Sequence, residues 1–256
     1  MSKFADRLQR IYRGSAPSIG FRKPGADADS SALLLVANLT RTNPRDAKAM
    51  AGAGIDAAIV STERVDAASF GRLASAMGDI PLGLSVESAS PDEIDAYVGS
   101  GCDFVVLGLK TPLEAVGKEG MGRILRIDGS LDQGLVRAIN DLPLAVDGVL
   151  VAGEECSVTI ERLLICQRFA ELVDRPLLVT VGLSASSGEL GSLCQAGVNG
   201  LVLPGGLPAK ELAKVKRAIG ALPRVSGRKA KRAALLPRLG GGPEAEMEEE
   251  EEEEEI

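Results

Sequence analysis

The sequence of 256 residues contains no histidine and no tryptophan. The first absence removes any nucleophile activated by an imidazole, whether Ser-His-Asp or Cys-His, and any His-ligated metal. Proton transfer would have to use Asp, Glu, Lys, Cys, Tyr or a group of the substrate. No apolar run approaches the roughly 18 residues needed to cross a bilayer. The N-terminus, MSKFADRLQRIYRG, lacks the apolar centre of a secretory signal and carries an acid. A cytoplasmic location is the expectation. Cysteines are few: Cys102, Cys156, Cys166 and Cys194 lack close metal-ligand spacing and read as buried thiols rather than disulfides or metal ligands.

What is present is small and apolar. Apolar residues make up 45% of the chain, there are 30 glycines, and aromatic residues reach only 3%. Such a composition suits α/β packing, in which helices lie close to a sheet. The net charge of −7 is made by one end of the chain. Residues 244–256 hold ten Glu and no Lys or Arg, and without them 29 basic residues face 26 acidic ones. Residues 224–238, RVSGRKAKRAALLPR, hold six Lys or Arg and no acid. A nearly neutral body is followed by a basic segment and then an acidic one.

A short amphipathic piece, Phe4 to Tyr12, opens a lead-in of residues 1–31 that otherwise reads as loop. Apolar strands and helical stretches then alternate over 32–223. Strands are expected at 32–39, 56–61, 80–86, 103–109, 123–128, 147–152, 176–182 and 200–205. Helices are expected at 44–53, 66–77, 90–101, 130–141, 157–173, 187–196 and 208–222, with a short one at 111–116. Asn43-Pro44 and Ser90-Pro91 carry a capping residue followed by proline at the first helical position, and Ser130 reads as a further cap. Eight strand–helix units require parallel strands, and eight of them close into an α/β (βα)8 TIM barrel. An open doubly wound sheet is the alternative.

Four of these strands open alike: AGIDAAIV (53–60), SGCDFVVL (100–107), LAVDGVLV (144–151) and AGVNGLVL (196–203). They are the even-numbered ones. Gly54, Gly101 and Gly197 precede three of them, as a helix ending in a left-handed residue requires. Asp56, Asp103, Asp147 and Asn199 then stand at strand starts, where a short polar side chain can bond turn amides. That end of a barrel serves stability, so these residues read as structural rather than catalytic.

The stretch LLVTVGLSASSGELGSLCQAGVNGLVLPGG (177–206) resembles the last third of the phosphate-binding TIM barrels, a superfamily that includes indole-glycerol-phosphate synthases, thiamine-phosphate synthases and FMN-dependent oxidoreductases. The resemblance implies a phosphate held by the loops after strands 7 and 8. Here the matching positions are Gly182 with Ser184, and Gly205 with Gly206. Glycines permit close backbone approach, and a helix N-terminus after them offers free amides to an anion. The chain departs from the pattern in reading Gly182-Leu183-Ser184 after strand 7 and in placing Pro204 before the second glycine pair. The catalytic Lys and Glu set of the indole-glycerol-phosphate synthases is not recognisable.

Active sites of these barrels lie at the C-terminal ends of the strands. The polar residues expected there are Asn38, Ser61, Glu63, Glu87, Lys110, Asp128, Glu154 and Ser184. Lys110 and Asp128 come from adjacent strands. The lysine could carry a Schiff base or bind an anion, with Asp128 or Glu87 as acid or base. A rim ion pair between Lys110 and Asp128 is the plain alternative.

The expected protein is a TIM barrel binding a phosphorylated small molecule, with lyase, isomerase or synthase chemistry. The competing reading is a non-catalytic scaffold whose charged tail, residues 224–256, contacts a partner. FMN is left open as a cofactor and no metal is expected. Homo-oligomerisation is also left open. Ten glutamates in thirteen residues cannot bury apolar area, so the tail is expected to be disordered.

Overall fold

The structure, a computed structural model, describes residues 2–14, 31–40, 42–87, 90–116, 120–153 and 157–223. The expectations for the loop of the lead-in, for Glu154 and Cys156, and for the charged tail fall outside those residues.

Eight parallel strands run in sequence order and close: β1 (Leu34–Asn38), β2 (Ala57–Ser61), β3 (Leu82–Val86), β4 (Phe104–Gly108), β5 (Gly122–Asp128), β6 (Gly148–Ala152), β7 (Leu177–Thr180) and β8 (Gly200–Leu203). Closure is made by β8 on β1, with Leu34 opposite Gly200 and Ala37 opposite Leu203. The chain is therefore a (βα)8 barrel and not an open sheet. Seven strands are shorter than their apolar runs, because the flanking residues serve the turns, and β5 is longer by Gly122.

Around the barrel lie α2 (Pro44–Gly52), α3 (Ala67–Met77), α4 (Pro91–Gly99), α5 (Gln133–Ala138), α6 (Ile160–Leu172), α7 (Ser187–Gln195) and α8 (Ala209–Gly220), while α1 (Lys3–Arg13) precedes β1. Between β4 and β5 the described residues form a 3-10 turn, Leu113–Ala115, and no α-helix. Asn43 and Ser90 cap α2 and α4 as their sequence context requires, Ser90 in a reciprocal box with Glu93. Ser130 does not cap α5. Asp132 does, and Ser130 instead bonds Asp128. On α6 the buried residues are Arg162, Cys166 and Phe169, whereas Ile160 and Leu164 face outward.

The four strand-start residues do structural work. Asp56 accepts from the Leu35 amide at 2.7 Å, Asp147 from the Arg123 amide at 2.8 Å and Asn199 from the Leu177 amide at 2.9 Å. Each therefore binds the start of the preceding odd strand. Gly54, Gly101 and Gly197 ahead of them hold φ of 83°, 98° and 95°, a region costly for any residue with a Cβ. Asp103 is the exception in direction. It accepts from Ser2 Oγ (2.7 Å), Lys3 N (2.8 Å) and Phe4 N (2.9 Å), so it anchors α1.

That anchor explains the amphipathic opening of the chain. Phe4 and Leu8 of α1 join Leu34, Val36, Ala57, Ile59, Phe104, Val106, Ile124, Leu150, Leu178 and Val202 in one apolar cluster. These strand residues alternate with those of the larger cluster between sheet and helices, so they fill the barrel interior. The α1 helix thus closes the strand-start end. Phe4 stacks on Phe104 with ring centroids 4.3 Å apart. The Phe104 ring occupies space that Gly83 vacates, since a Cβ on Gly83 would stand 2.3 Å from it. A chain with 5 Phe and no Trp spends two of its few large rings on this plug.

Candidate functional site at the C-terminal mouth

Alternation fixes what faces the open end. Continuing each interior row past the apolar cluster brings Asn38, Ser61, Ser85, Glu87, Gly108, Arg126, Asp128, Ala152 and Thr180 to the mouth. Apolar residues fill the lower interior and polar or small ones line the top. Among the described residues no group of three or more His, Cys, Asp or Glu is placed to hold a metal.

Of the three catalytic candidates, the structure brings none into contact with another. Glu87 forms an ion pair with Arg126, and both side chains are about half exposed. Asp128 accepts from the Ser130 amide at 2.8 Å and from its hydroxyl at 2.7 Å. The Ser130 hydroxyl, then the Ser130 amide, and more weakly the Arg162 charge hold the Asp128 carboxyl below the usual aspartate value. Lys110 is exposed in the turn after β4, and no ion pair joins it to Asp128. The two adjacent-strand residues therefore look past each other.

Sequence reasoning missed two arginines. Arg126 lies in RILRID, where Ile124 faces inward and Leu125 and Ile127 face the helices, so period-two alternation would have found it. Arg162 lies on the same helical face as Cys166 and Phe169, at i, i+4 and i+7, and is 8% exposed. Its guanidinium donates to the carbonyls of Val151 (2.9 Å) and Ala152 (3.3 Å), and to the carbonyl (3.4 Å) and hydroxyl (3.1 Å) of Thr180. It fastens α6 to the ends of β6 and β7. A Cβ on Gly153 would collide with it at 2.7 Å.

The two glycine loops differ in what they offer an anion. After β7, Gly182 is buried and Ser184 exposed, and α7 begins with a reciprocal box between Ser186 and Glu189. The Glu189 carboxylate occupies the Ser186 amide at 2.6 Å, and those bonds depress its pKa. That helix start is already satisfied and negatively charged. After β8, Gly205 and Gly206 are both exposed, Gly206 at φ 81°. A Cβ on Gly205 would press on Thr40 at 3.1 Å. The helix that follows, α8, begins at Pro208 with no side-chain cap. Each of the other seven described α-helices has one.

A depression of about 430 Å³ lies at the opposite end of the barrel, lined by Lys3, Asp79, Asp103 and neighbours on α3. Its Asp103 carboxylate is engaged by α1.

No family model matches the chain, and no curated protein matches it. Solved structures do. A tryptophan synthase alpha-subunit from Pyrococcus furiosus matches with a TM-score of 0.56 and 11% identity, over 74% of this chain and 96% of its own. A thiamine phosphate pyrophosphorylase from Pyrococcus furiosus matches at 0.54 and 14%, over 74% and 96%. The homocysteine methyltransferase of Escherichia coli matches at 0.54 and 14%, over 75% and 98%. Neighbours with such different chemistry share an architecture, and the chain is a TIM barrel similar in fold to these enzymes.

Proposed function

We propose that this barrel binds a phosphorylated small molecule at its C-terminal mouth and acts on it as a lyase, isomerase or synthase. The observation that carries the reading is the start of α8. Its first turn is free of any side-chain cap and follows directly on the exposed Gly205–Gly206 turn. Free amides and the positive end of the helix favour an anion there. The Gly182–Ser184 loop follows the neighbouring strand, β7, and would contribute the adjacent wall. The Glu189 carboxylate already occupies the start of α7. Similarity in fold to a thiamine phosphate pyrophosphorylase agrees with such a ligand.

Glu87, Asp128 and Lys110 are the groups available for proton transfer or for a Schiff base. An FMN phosphate would use the same amides, and a yellow purified protein would identify it. The described cysteines are free, and a cytoplasmic, reducing location suits them. Crystals soaked in phosphate should show an anion against Gly206 and the first amides of α8. A mouth without an anion at saturating phosphate would refute the reading.

One observation favours the second reading, a non-catalytic scaffold. Glu87 and Asp128 engage other partners, and neither meets the other or Lys110. Deleting residues 224–256 should then abolish capture of a partner while leaving the melting temperature unchanged.

A further inference from the structure

We propose that Arg126 is a second anion-recognition point of the mouth, that Glu87 occupies it until a ligand carboxylate displaces it, and that the ligand is a phosphorylated carboxylic acid. This inference rests on the phosphate reading above for one end of the ligand and adds the other.

Glu87, Gly108 and Arg126 form one row across β3, β4 and β5. Val86 pairs with Leu107 and Gly108 with Arg126, so Glu87 stands level with both. All three occupy interior-facing positions. The middle residue has no side chain, and a Cβ built there would lie in ordinary contact range of the Glu87 carboxylate at 3.6 Å and the Thr111 hydroxyl at 3.8 Å. The ion pair therefore bridges over the glycine inside the barrel and not on its outer rim.

A mouth-facing pair that is about half exposed is weakly held, because water screens it. Arginine keeps its charge and presents five donors in a planar fork, of which the structure commits Nη1 to Glu87. The group already seated on it is a carboxylate. The geometry at Arg126 thus suits a carboxylate from elsewhere, which would displace Glu87 and take the fork in two-pronged fashion. In the ring of eight strands β5 lies three places from β8, nearly across the mouth. The inference requires a ligand that extends from the Gly205–Gly206 side to Arg126.

The test is calorimetric titration of the full chain and its Arg126→Gln and Glu87→Gln variants. The probes are 3-phosphoglycerate, glycerol 3-phosphate, glycerate and inorganic phosphate. The wild type should bind 3-phosphoglycerate at least ten times more tightly than glycerol 3-phosphate. Arg126→Gln should erase that ratio and leave glycerol 3-phosphate unchanged. Glu87→Gln should tighten 3-phosphoglycerate severalfold, because the competing carboxylate is gone. A structural pair predicts the reverse for Glu87→Gln, with weaker binding or none of this effect. Circular dichroism confirms that both variants fold. If no carboxylate probe shows dependence on Arg126, the inference is wrong whatever phosphate does. If glycerate binding depends on Arg126 while inorganic phosphate and glycerol 3-phosphate do not bind, this site stands and the phosphate reading falls.

Discussion

Asp103 holds the backbone amide of Phe4 at 2.9 Å across 99 residues of sequence. This bond, with those to Lys3 N and Ser2 Oγ, fixes the first helix in the base of the barrel. Charge-assisted hydrogen bonds contribute about 1.5–3 kcal/mol each when both partners are desolvated, and less when exposed. Asp103→Ala should therefore destabilise the chain by about 2–3 kcal/mol, and Asp147→Ala, which loses one amide bond, by about 1 kcal/mol. Chemical denaturation measures both. Hydrogen exchange should show α1 opening in the first variant only.

The interior plug makes a coupling prediction. Gly83→Ala would drive a methyl into the Phe104 ring and should cost about 1–3 kcal/mol. Phe104→Leu alone should also destabilise, by loss of packing and of the stack on Phe4. Together they should cost less than the two added, since the smaller side chain relieves the clash. Additive losses in a double-mutant cycle would show that the ring yields freely.

The thiols give a chemical test of burial. Desolvation pushes Cys102 up to about 12 and Cys166 to about 11, and raises Cys194 as well. At pH 8 almost none of the Cys102 or Cys166 thiolate is present. Brief treatment with iodoacetamide should leave the peptides of these three unmodified in native protein and fully alkylated in denaturant. Modification of native Cys102 would contradict its packing beneath β4.

Asp128 titrates at the mouth under local control. Its carboxyl is depressed by the Ser130 hydroxyl first and the Ser130 amide second. A depressed carboxyl adds stability above its unfolded pKa, and that stability is lost as pH falls through the folded value. Ser130→Ala removes the larger cause, so the Asp128 pKa should rise toward the ordinary value. Carboxyl-resolved NMR titration between pH 2 and 6 reads the shift. An unmoved pKa would assign the depression to the Ser130 amide, which the variant keeps.

Much of the fold was legible because each barrel unit is local. Asn43-Pro44, Ser90-Pro91 and the glycines two residues before Asp56, Asp103 and Asn199 announce helix ends by chemistry confined to a few neighbours. The site was less legible because it depends on which strand residues face inward and meet across the ring. Glu87 was visible as a polar residue after an apolar run, but its partner Arg126 lies 39 residues away. The role of Phe4 was hidden for the same reason. Its amphipathic helix needs the barrel floor to exist before its buried face has meaning. Lys110 and Asp128 are neighbours in strand order, yet Ser130, two residues on, turns the aspartate back on its own loop.

The central claim is that the mouth binds an anion at the uncapped start of α8. The most direct measurement follows backbone amides by NMR as inorganic phosphate is added to the full chain. The account predicts saturable shifts at Gly206, Ala209 and Lys210, with little change at Ser186–Glu189. Shifts confined to the basic side chains of α1, or none at saturating phosphate, would contradict it.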